Sequence, residues 1–259
     1  MKSSSPKALV VIPTYNERYN IVPLLRELLS LPSPIPLSIL VVDDSSPDQT
    51  AESVKEEQKR HPSSIYLLLR EKKSGIGTAY REGFQFAIAH HFDFIVQMDA
   101  DFSHDPQDVC RLLETCMEPV YDVVIGSRYV ANSRISGFSF VRSFFSRFFC
   151  MCARFLLRFP VRDNTGGFVC YSRDVLRRLE LDTLRSAGYV FQIEMKYRVW
   201  LAQFRLKEIP ISFKGRVKGK SKMSLGIFLE AVWVLSKIRF MADAKLIYTW
   251  LFGMDSVRN

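Results

Sequence analysis

The chain has no run of about 18 or more apolar residues free of charge and proline, so an ordinary membrane-spanning helix is not expected. It has few cysteines: Cys110, Cys116, Cys150, Cys152 and Cys170 form no CxxC pair and share no metal-ligand spacing with the four histidines. Their odd number argues against a disulfide framework and for reduced core residues of a cytosolic protein. The start, Met1 to Lys7, lacks the longer apolar region of a signal peptide, so export is not expected. No internal repeat, low-complexity tract or domain-separating linker is visible. Acid is scarce in one long stretch: from Arg128 to Arg173 there are eight arginines, no lysine and one acid, Asp163.

What is present is a globular chain of 259 residues, 47% hydrophobic and 24% charged, with enough length for a substantial core. Thirty-six basic against 27 acidic residues leave a formal charge of +9, a bias toward phosphates, nucleic acid or an anionic membrane surface. Short apolar runs at Ala8 to Ile12, Ser38 to Val42, Ile65 to Leu69, Phe92 to Met98 and Tyr121 to Ile125 alternate with segments of helical period. Those segments are Tyr19–Leu29, Pro47–Arg60, Gly77–His90 and Pro106–Met117, the second and fourth with proline in the first turn, where its missing N–H costs nothing. The alternation predicts an α/β protein with a mostly parallel sheet wrapped by helices. After the arginine-rich, phenylalanine-rich insert, a strand is expected at Gly167–Tyr171, a helix at Tyr189–Gln203, a strand at Arg205–Ile211, a basic loop from Lys214 to Lys222, and an apolar helix from Leu225.

The strand ends carry the chemistry. The first empties into Pro13-Thr14-Tyr15-Asn16-Glu17 and the second into Asp43-Asp44-Ser45-Ser46-Pro47-Asp48. An acidic pair there suits a base or ribose edge, although Ser46 and Asp48 also suit helix capping. Ser74-Gly75-Ile76-Gly77-Thr78-Ala79 is a small-residue turn that lets backbone approach closely, and it lacks the Gly-Lys-Ser/Thr ending of a P-loop. After the fourth strand comes Asp99-Ala100-Asp101. Two carboxylates at the mouth of a parallel sheet suit a hard divalent cation, Mg²⁺ or Mn²⁺, which completes its shell with water and a substrate's phosphates.

These motifs stand in the order and spacing of the dolichol-phosphate (polyprenol-phosphate) mannosyltransferase family, which the chain resembles from about residue 8 to about residue 225. The likeness continues through Gly126-Ser127-Arg128-Tyr129, Asp163 to Phe168, Gly188 to Met195, Pro210 to Phe213, Arg216 and Gly219-Lys220-Ser221-Lys222. It implies a Rossmann-like fold of the glycosyltransferase A type and family two. The implied reaction moves mannose from GDP-mannose to a dolichyl or polyprenyl phosphate, with inversion, on the cytosolic face of a membrane. That membrane would be the endoplasmic reticulum or a bacterial inner membrane, and the protein would be peripheral. By position, Pro13, Tyr15, Glu17, Val42 and Asp44 correspond to the guanosine pocket, and Asp99 and Ala100 to donor contacts. Asp99, Asp101 and Ser103 correspond to the cation site, Ser103 replacing the glutamine of some members by a shorter ligand. Arg216 and Lys222 correspond to the diphosphate clamp, and Arg128 and Arg142 to the acceptor phosphate, whose geometry suits guanidinium forks. Gln192 and Glu194 match a motif near acceptor and sugar, or else orient neighbours. Some members depend on small membrane subunits, which makes such a partner an option.

On a helical wheel at ~100° per residue, Arg147, Arg154 and Arg158 cluster within about 40°. Phe144, Phe148, Met151, Cys152, Phe155 and Phe159 are assigned the opposite side. A basic face against an aromatic one, within an insert at about 138–160, suits a helix lying in a membrane interface. The expected layout is a catalytic domain over 1–224 and an amphipathic helical tail over 225–259, in which Trp233 and Trp250 suit the headgroup level. Two alternatives stay open: the same chemistry with UDP-glucose, and a basic nucleic-acid-binding protein. The second gives Asp99 and Asp101 no role.

Overall fold

The structure, a computed structural model, describes residues 5–137, 140–184, 186, 188, 190–215, 236, 237, 239 and 240, with backbone alone for 140–143 and 145. Its elements run β1 (Ala8–Thr14), α1 (Arg18–Leu29), β2 (Leu37–Asp43), α2 (Thr50–Arg60), β3 (Ile65–Leu69), α3 (Ile76–Ala89), β4 (Phe94–Gln97) and α4 (Asp108–Met117). They continue with β5 (Val123–Ser127), β6 (Arg134–Ser136), α5 (Phe140–Leu157), β7 (Val169–Ser172), α6 (Arg173–Arg178), α7 (Val190–Leu201), β8 (Leu206–Pro210) and β9 (Ser212–Lys214). Arg142 lies in α5 with its side chain outside the described set. Arg216, Lys222, most of the tail and both Trp233 and Trp250 lie outside the described residues.

Seven strands pair in the order β3-β2-β1-β4-β7-β5-β8, with β6 and β9 as a separate parallel pair. All pairings in the large sheet are parallel except those of β7, which runs antiparallel to both β4 and β5. The apolar runs explain why the sheet is covered on both faces. Along β1, Leu9 and Val11 enter one core layer with Tyr80 and Phe84 of α3, while Val10 and Ile12 enter the other with Leu24 and Leu28 of α1. A strand buried on both sides reads as a continuous apolar run rather than an alternation. Each such side chain contributes about 1.5–3 kcal/mol when fully buried.

Close packing of α3 brings its N-terminus under the sheet mouth. A Cβ on Gly83 would lie 2.4 Å from Val11 Cγ1, and one on Gly77 would lie 2.6 Å from the Ser186 carbonyl oxygen. Because β2, β1 and β4 are neighbours and parallel, their exit loops open side by side.

Helix α5 corrects the wheel. Its body-facing side is a third stripe, formed by Phe149, Cys150, Ala153 and Leu157, all buried. The aromatic stripe of Phe144, Phe148, Met151 and Phe155 is exposed, Phe155 to 87%. Arg147 and Arg154 are exposed too, so the basic and aromatic stripes lie beside each other on the outward side rather than opposite. Phe159 leaves the aromatic set altogether. The helix ends at Leu157, Arg158 turns left-handed at φ 52°, and Phe159 enters the core against Tyr197 and Trp200. A wheel drawn past a chain reversal misplaces whatever follows it. Among the described residues no helix is long and apolar enough to cross a membrane.

Candidate active site

The exit loops of β1, β2 and β4 share one device. Each contains a non-glycine residue in the left-handed region: Asn16 at φ 62° after β1, Ser45 at 52° after β2, and Phe102 at 56° after β4. Such residues cost free energy and persist where surroundings over-determine them, often at ligand sites. Here the surroundings are neighbouring loops. Ser46 Oγ accepts from Asn16 N (3.0 Å), Thr50 Oγ1 from Glu17 N (3.0 Å), and Asp48 Oδ2 from Arg18 N (3.1 Å). Side chains of the second loop thus satisfy main-chain N–H groups where α1 begins. Pro13 is half-buried, Tyr15 is exposed, and Lys73 Nζ stands 3.6 Å from the Tyr15 ring centroid, a cation–π contact across the mouth.

The acidic pair Asp43-Asp44 divides its work. Asp43 accepts from Thr14 Oγ1 (2.7 Å), Ser46 Oγ (2.6 Å) and Ser46 N (2.9 Å), and so holds loops together. Asp44 accepts from Arg70 Nη1 at 2.7 Å, and burial raises its carboxyl pKa despite that partner. Arg70, itself buried, also reaches Thr78 Oγ1 (2.6 Å) and Glu82 (3.1 Å). Sequence reading missed Arg70, whose only signal was a charge at the end of an apolar strand. Val42 is fully buried beneath α3, with Cγ2 3.5 Å from where a Cβ on Gly83 would lie.

At the end of β4, Tyr80 donates to Asp99 Oδ1 (3.2 Å) and the Asp99 amide donates to His104 Nδ1 (3.5 Å). His104 is buried, which lowers its pKa, and it stacks on Phe168 at 4.8 Å. Its ring braces the turn. Ser103, expected to ligate a cation, is 3% exposed and donates its hydroxyl to Asp101 Oδ1 at 2.5 Å, with its amide on the same oxygen at 3.1 Å. In this position it orients Asp101. Ala100 is buried as a small spacer. A Cβ on Gly167 would touch both Asp99 carboxylate oxygens at 3.6 Å and Gln192 Nε2 at 3.3 Å, so a longer side chain there would fill the space before Asp99. Two hard carboxylates with an open front fit Mg²⁺ or Mn²⁺ completed by phosphate and water. Among the described residues no group of three or more His, Cys, Asp or Glu side chains forms a cage.

On the other flank, Arg128 is half-buried, its side chain 10% exposed, against fully buried Asp163. Its Nε donates to Oδ2 (2.7 Å), its Nη2 to Oδ1 (2.7 Å), its amide to Oδ2 (2.8 Å), and Nη2 also to Thr165 Oγ1 (2.8 Å). Burial opposes the guanidinium charge, yet Asp163 outweighs it and raises the pKa, while Arg128 holds Asp163 below the ordinary carboxylate range against the same burial. The fork is therefore spent inside the protein, and Nη1 stands outside these bonds. Behind this pair, fully buried Lys196 donates to the carbonyls of Asn164 (3.2 Å) and Gly166, clamping the loop that positions Gly167. Burial lowers its pKa to about 8, with Asp163 opposing. Gln192 accepts from Gln97 Nε2 (2.5 Å), and Glu194 accepts from Ser186 N (3.1 Å) and Arg198 (2.7 Å). Glu194 thus ties the main chain at Ser186 to α7.

With strand ends, acidic mouth and basic flank in place, the class is that of a glycosyltransferase: residues 9–180 match Glycosyl transferase family 2. Polyprenol monophosphomannose synthase of Mycolicibacterium smegmatis is 37% identical over 231 residues, 89% of this chain and 86% of the relative. Undecaprenyl-phosphate mannosyltransferase of Micrococcus luteus is 39% identical over 227 residues, 87% and 91% of the two chains. The chain belongs to glycosyltransferase family 2 and, within it, to the polyprenol-phosphate mannosyltransferases. Solved structures share the expected A-type fold at low identity. Glucosyl-3-phosphoglycerate synthase from Mycobacterium tuberculosis, with Mn²⁺, UDP-glucose and phosphoglyceric acid, superposes at TM-score 0.67 with 18% identity over 90% of this chain and 79% of that one. A mannosyltransferase from Pyrobaculum calidifontis with GDP-mannose and Mn²⁺ superposes at 0.58 with 17% identity over 97% and 77%.

Proposed function

We propose that this chain transfers mannose from GDP-mannose to a dolichyl or polyprenyl phosphate, with inversion, at the cytosolic face of a membrane. The observation that carries the reading is the pair Asp99 and Asp101 at the exit of β4, beside a mouth built from the β1 and β2 exits. The names of the two curated relatives support the sugar and the lipid. Pro13, Tyr15, Glu17 and Asp44 hold the guanosine, with Arg70 fixing Asp44. Asp99 and Asp101 would hold the divalent cation, which when bound would supply Lewis-acid stabilisation of the charge on a departing diphosphate. Arg216 and Lys222 are assigned to that diphosphate as well. Residues 1–224 form the catalytic domain in this reading, and 225–259 a membrane-lying tail.

An oxygen of the acceptor phosphate attacks C1 of mannose from the side opposite GDP, the C1–O bond to the diphosphate breaks, and GDP leaves with the bonding electrons. No base is required, since a phosphate monoester with a second pKa near ~6 is largely dianionic at neutral pH. The protein's task is positioning, for which Arg142 and the remaining nitrogen of Arg128 are assigned to the acceptor phosphate.

Purified protein in detergent, incubated with a polyprenyl phosphate and radiolabelled GDP-mannose or UDP-glucose, with and without EDTA, tests the donor, the acceptor and the cation. Lipid-linked mannose that EDTA abolishes is expected. Product from UDP-glucose alone would overturn the donor, and EDTA-resistant product the cation.

A further inference from the structure

Gln97 closes β4, whose other residues, Phe94, Ile95 and Val96, are apolar, and it is fully buried. A primary amide taken out of water costs free energy unless its polar atoms are paired, so a glutamine here needs a reason. Alternation along the strand turns it to the face of Ile95, in the layer under α3 that also holds Tyr80. Its Nε2 donates to Gln192 Oε1 of α7 at 2.5 Å, while its own Oε1 is buried without a partner among the described residues.

Tyr80 sets the direction of this pair. The hydroxyl has one proton and gives it to Asp99 Oδ1 at 3.2 Å, so toward Gln97 it can only accept. Burial first and Asp99 second raise the Tyr80 pKa well above its ordinary value, and Gln97 opposes them as a hydrogen-bond donor does. Gln97 therefore presents its NH₂ group to both neighbours, and Gln192 must meet it with the carbonyl end of its amide. The consequence lies at the other end of Gln192, a residue only 4% exposed. Its Nε2 makes no hydrogen bond among the described residues and turns to the space over Gly167, where a Cβ would lie 3.3 Å from that nitrogen and 3.6 Å from both Asp99 carboxylate oxygens. A hydroxyl placed between them gives its proton to Asp99 and accepts from Gln192. With Gln192 turned the other way, the same hydroxyl would face two acceptors with one proton.

In the reaction proposed above, C1 of the sugar and its diphosphate meet at Asp99, and the hydroxyl nearest C1 is the one on C2. That is the carbon at which mannose and glucose differ. We propose that Gln97 is a positioning residue: by fixing the amide of Gln192 it sets a donor against the C2 hydroxyl of the transferred sugar and selects mannose over glucose. This rests on the placement of the donor sugar at the β4 exit and adds to it the means of telling two epimers apart.

The test is calorimetric binding of GDP-mannose, GDP-glucose and GDP to the full chain with Mn²⁺ and no acceptor. Wild-type protein is expected to bind GDP-mannose about tenfold more tightly than GDP-glucose, the worth of one well-placed hydrogen bond. Q97M, close in volume and without a donor, should lose most of that difference by weakening GDP-mannose, with the affinity for GDP within about twofold of wild type. GDP carries no sugar, so its retained affinity also reports that the variant folds. Q97E keeps the shape but offers an acceptor; it should lose the preference too, and regain part of it as pH falls and the carboxyl takes up a proton that it can donate. Q192M should match Q97M, and Q97M added to Q192M should cost no more than about twofold further, because Gln97 acts through Gln192. Losses that multiply in the double variant, or a Q97M and a Q97E that weaken GDP and GDP-mannose alike, would overturn the positioning role. Equal affinity of wild type for the two GDP-sugars would overturn the selection while leaving mannosyl transfer standing. Product from UDP-glucose alone in the transfer assay would instead remove the donor, and this assignment with it.

Discussion

The nucleotide flank and the lipid flank of the mouth are held by different physics. Around Asp43 the loops are fixed by many neutral or singly charged hydrogen bonds between the first and second exit loops, and by left-handed residues at Asn16 and Ser45, while the buried Arg70–Asp44 ion pair beside them is the ionic exception on this flank. Around Asp163 the loop is fixed by ions taken out of water: Arg128 on one side and Lys196 behind. A set of ordinary hydrogen bonds loses about 1 kcal/mol per deletion and degrades gradually. A buried ion pair fails abruptly, because removing one partner leaves the other charge in a low-dielectric place. The two flanks should therefore respond to mutation with different size and shape.

The largest effect is expected at Asp163. Asp163→Asn keeps the shape but strands the Arg128 guanidinium, and should cost about 3–5 kcal/mol in urea unfolding. Adding Arg128→Gln should recover part of that loss, since the uncompensated charge is then gone; if the double variant is less stable than Asp163→Asn by a full kcal/mol or more, the ionic account of this flank fails. Because Asp163's pKa lies below the ordinary range, its stabilisation is present above that range and is lost as pH falls through the depressed value. Next comes Asp101→Asn, expected to lower turnover about 10²–10³-fold with little change in stability, comparable to removing one electrostatic stabiliser of a transition state. A folded Asp101→Asn enzyme with near-normal kcat would move the chemistry away from the β4 exit.

How much of this could be read from the chain depends on whether the signal is local. The seven strands of the large sheet came out within a few residues, because a strand buried on both faces writes itself as an uninterrupted apolar run such as Leu9 to Ile12, whereas the short pair β6 and β9 has no such run and was not expected. The exits that carry Tyr15, Asp44 and Asp99 were legible for the same reason, since each follows such a run directly. Pairings across distance were not. Asp163 and Arg128 are 35 positions apart, and nothing in either neighbourhood says that the fork is already occupied. Lys196 sits in a helix with Arg198 two positions on, yet one is fully buried and the other partly exposed, a difference set by the carbonyls of Asn164 and Gly166. Ser103 looked like a shortened ligand because its partner, Asp101 Oδ1, is a property of the turn. The antiparallel course of β7 was likewise hidden, for Val169–Ser172 has the same composition in either direction.

Lys196 sharpens the comparison from within the ionic flank. Lys196→Met removes the donor to two buried carbonyls and should cost about 1–3 kcal/mol at neutral pH, less than Asp163→Asn because no bare charge remains. The lysine also leaves a pH signature. Its folded pKa is lowered to about 8 from the ordinary 10.5, by burial first and Arg128 further, against Asp163, Cys150 and Glu208. Between those values the unfolded chain binds more protons than the folded one, so this residue's contribution becomes more favourable as pH rises through the window. Urea unfolding near pH 7 and near pH 10 should show wild type gaining on Lys196→Met at the higher pH; a constant difference would mean that the lysine keeps its proton in the fold.

The smallest effect belongs to the nucleotide flank, where Thr14→Val isolates a single bond of the network. Valine has nearly the shape of threonine and stays buried in the strand, so the change deletes only the donation from Thr14 Oγ1 to Asp43 Oδ1. Asp43 keeps both bonds from Ser46, one of them to the same oxygen, and the Asp44 amide still bonds the Thr14 carbonyl at 3.1 Å. Redundancy of that kind predicts a loss of about 0.5–1.5 kcal/mol in urea unfolding and a rise in the donor's KM of no more than a few fold, with kcat unchanged. A loss of 3 kcal/mol or more would mean that Asp43 is as exposed to partner removal as Arg128 is, since a buried carboxylate that depends on one donor behaves like half of an ion pair. The two flanks would then be held by the same physics, and the left-handed turns at Asn16 and Ser45 would be consequences of that one carboxylate rather than of the loop network.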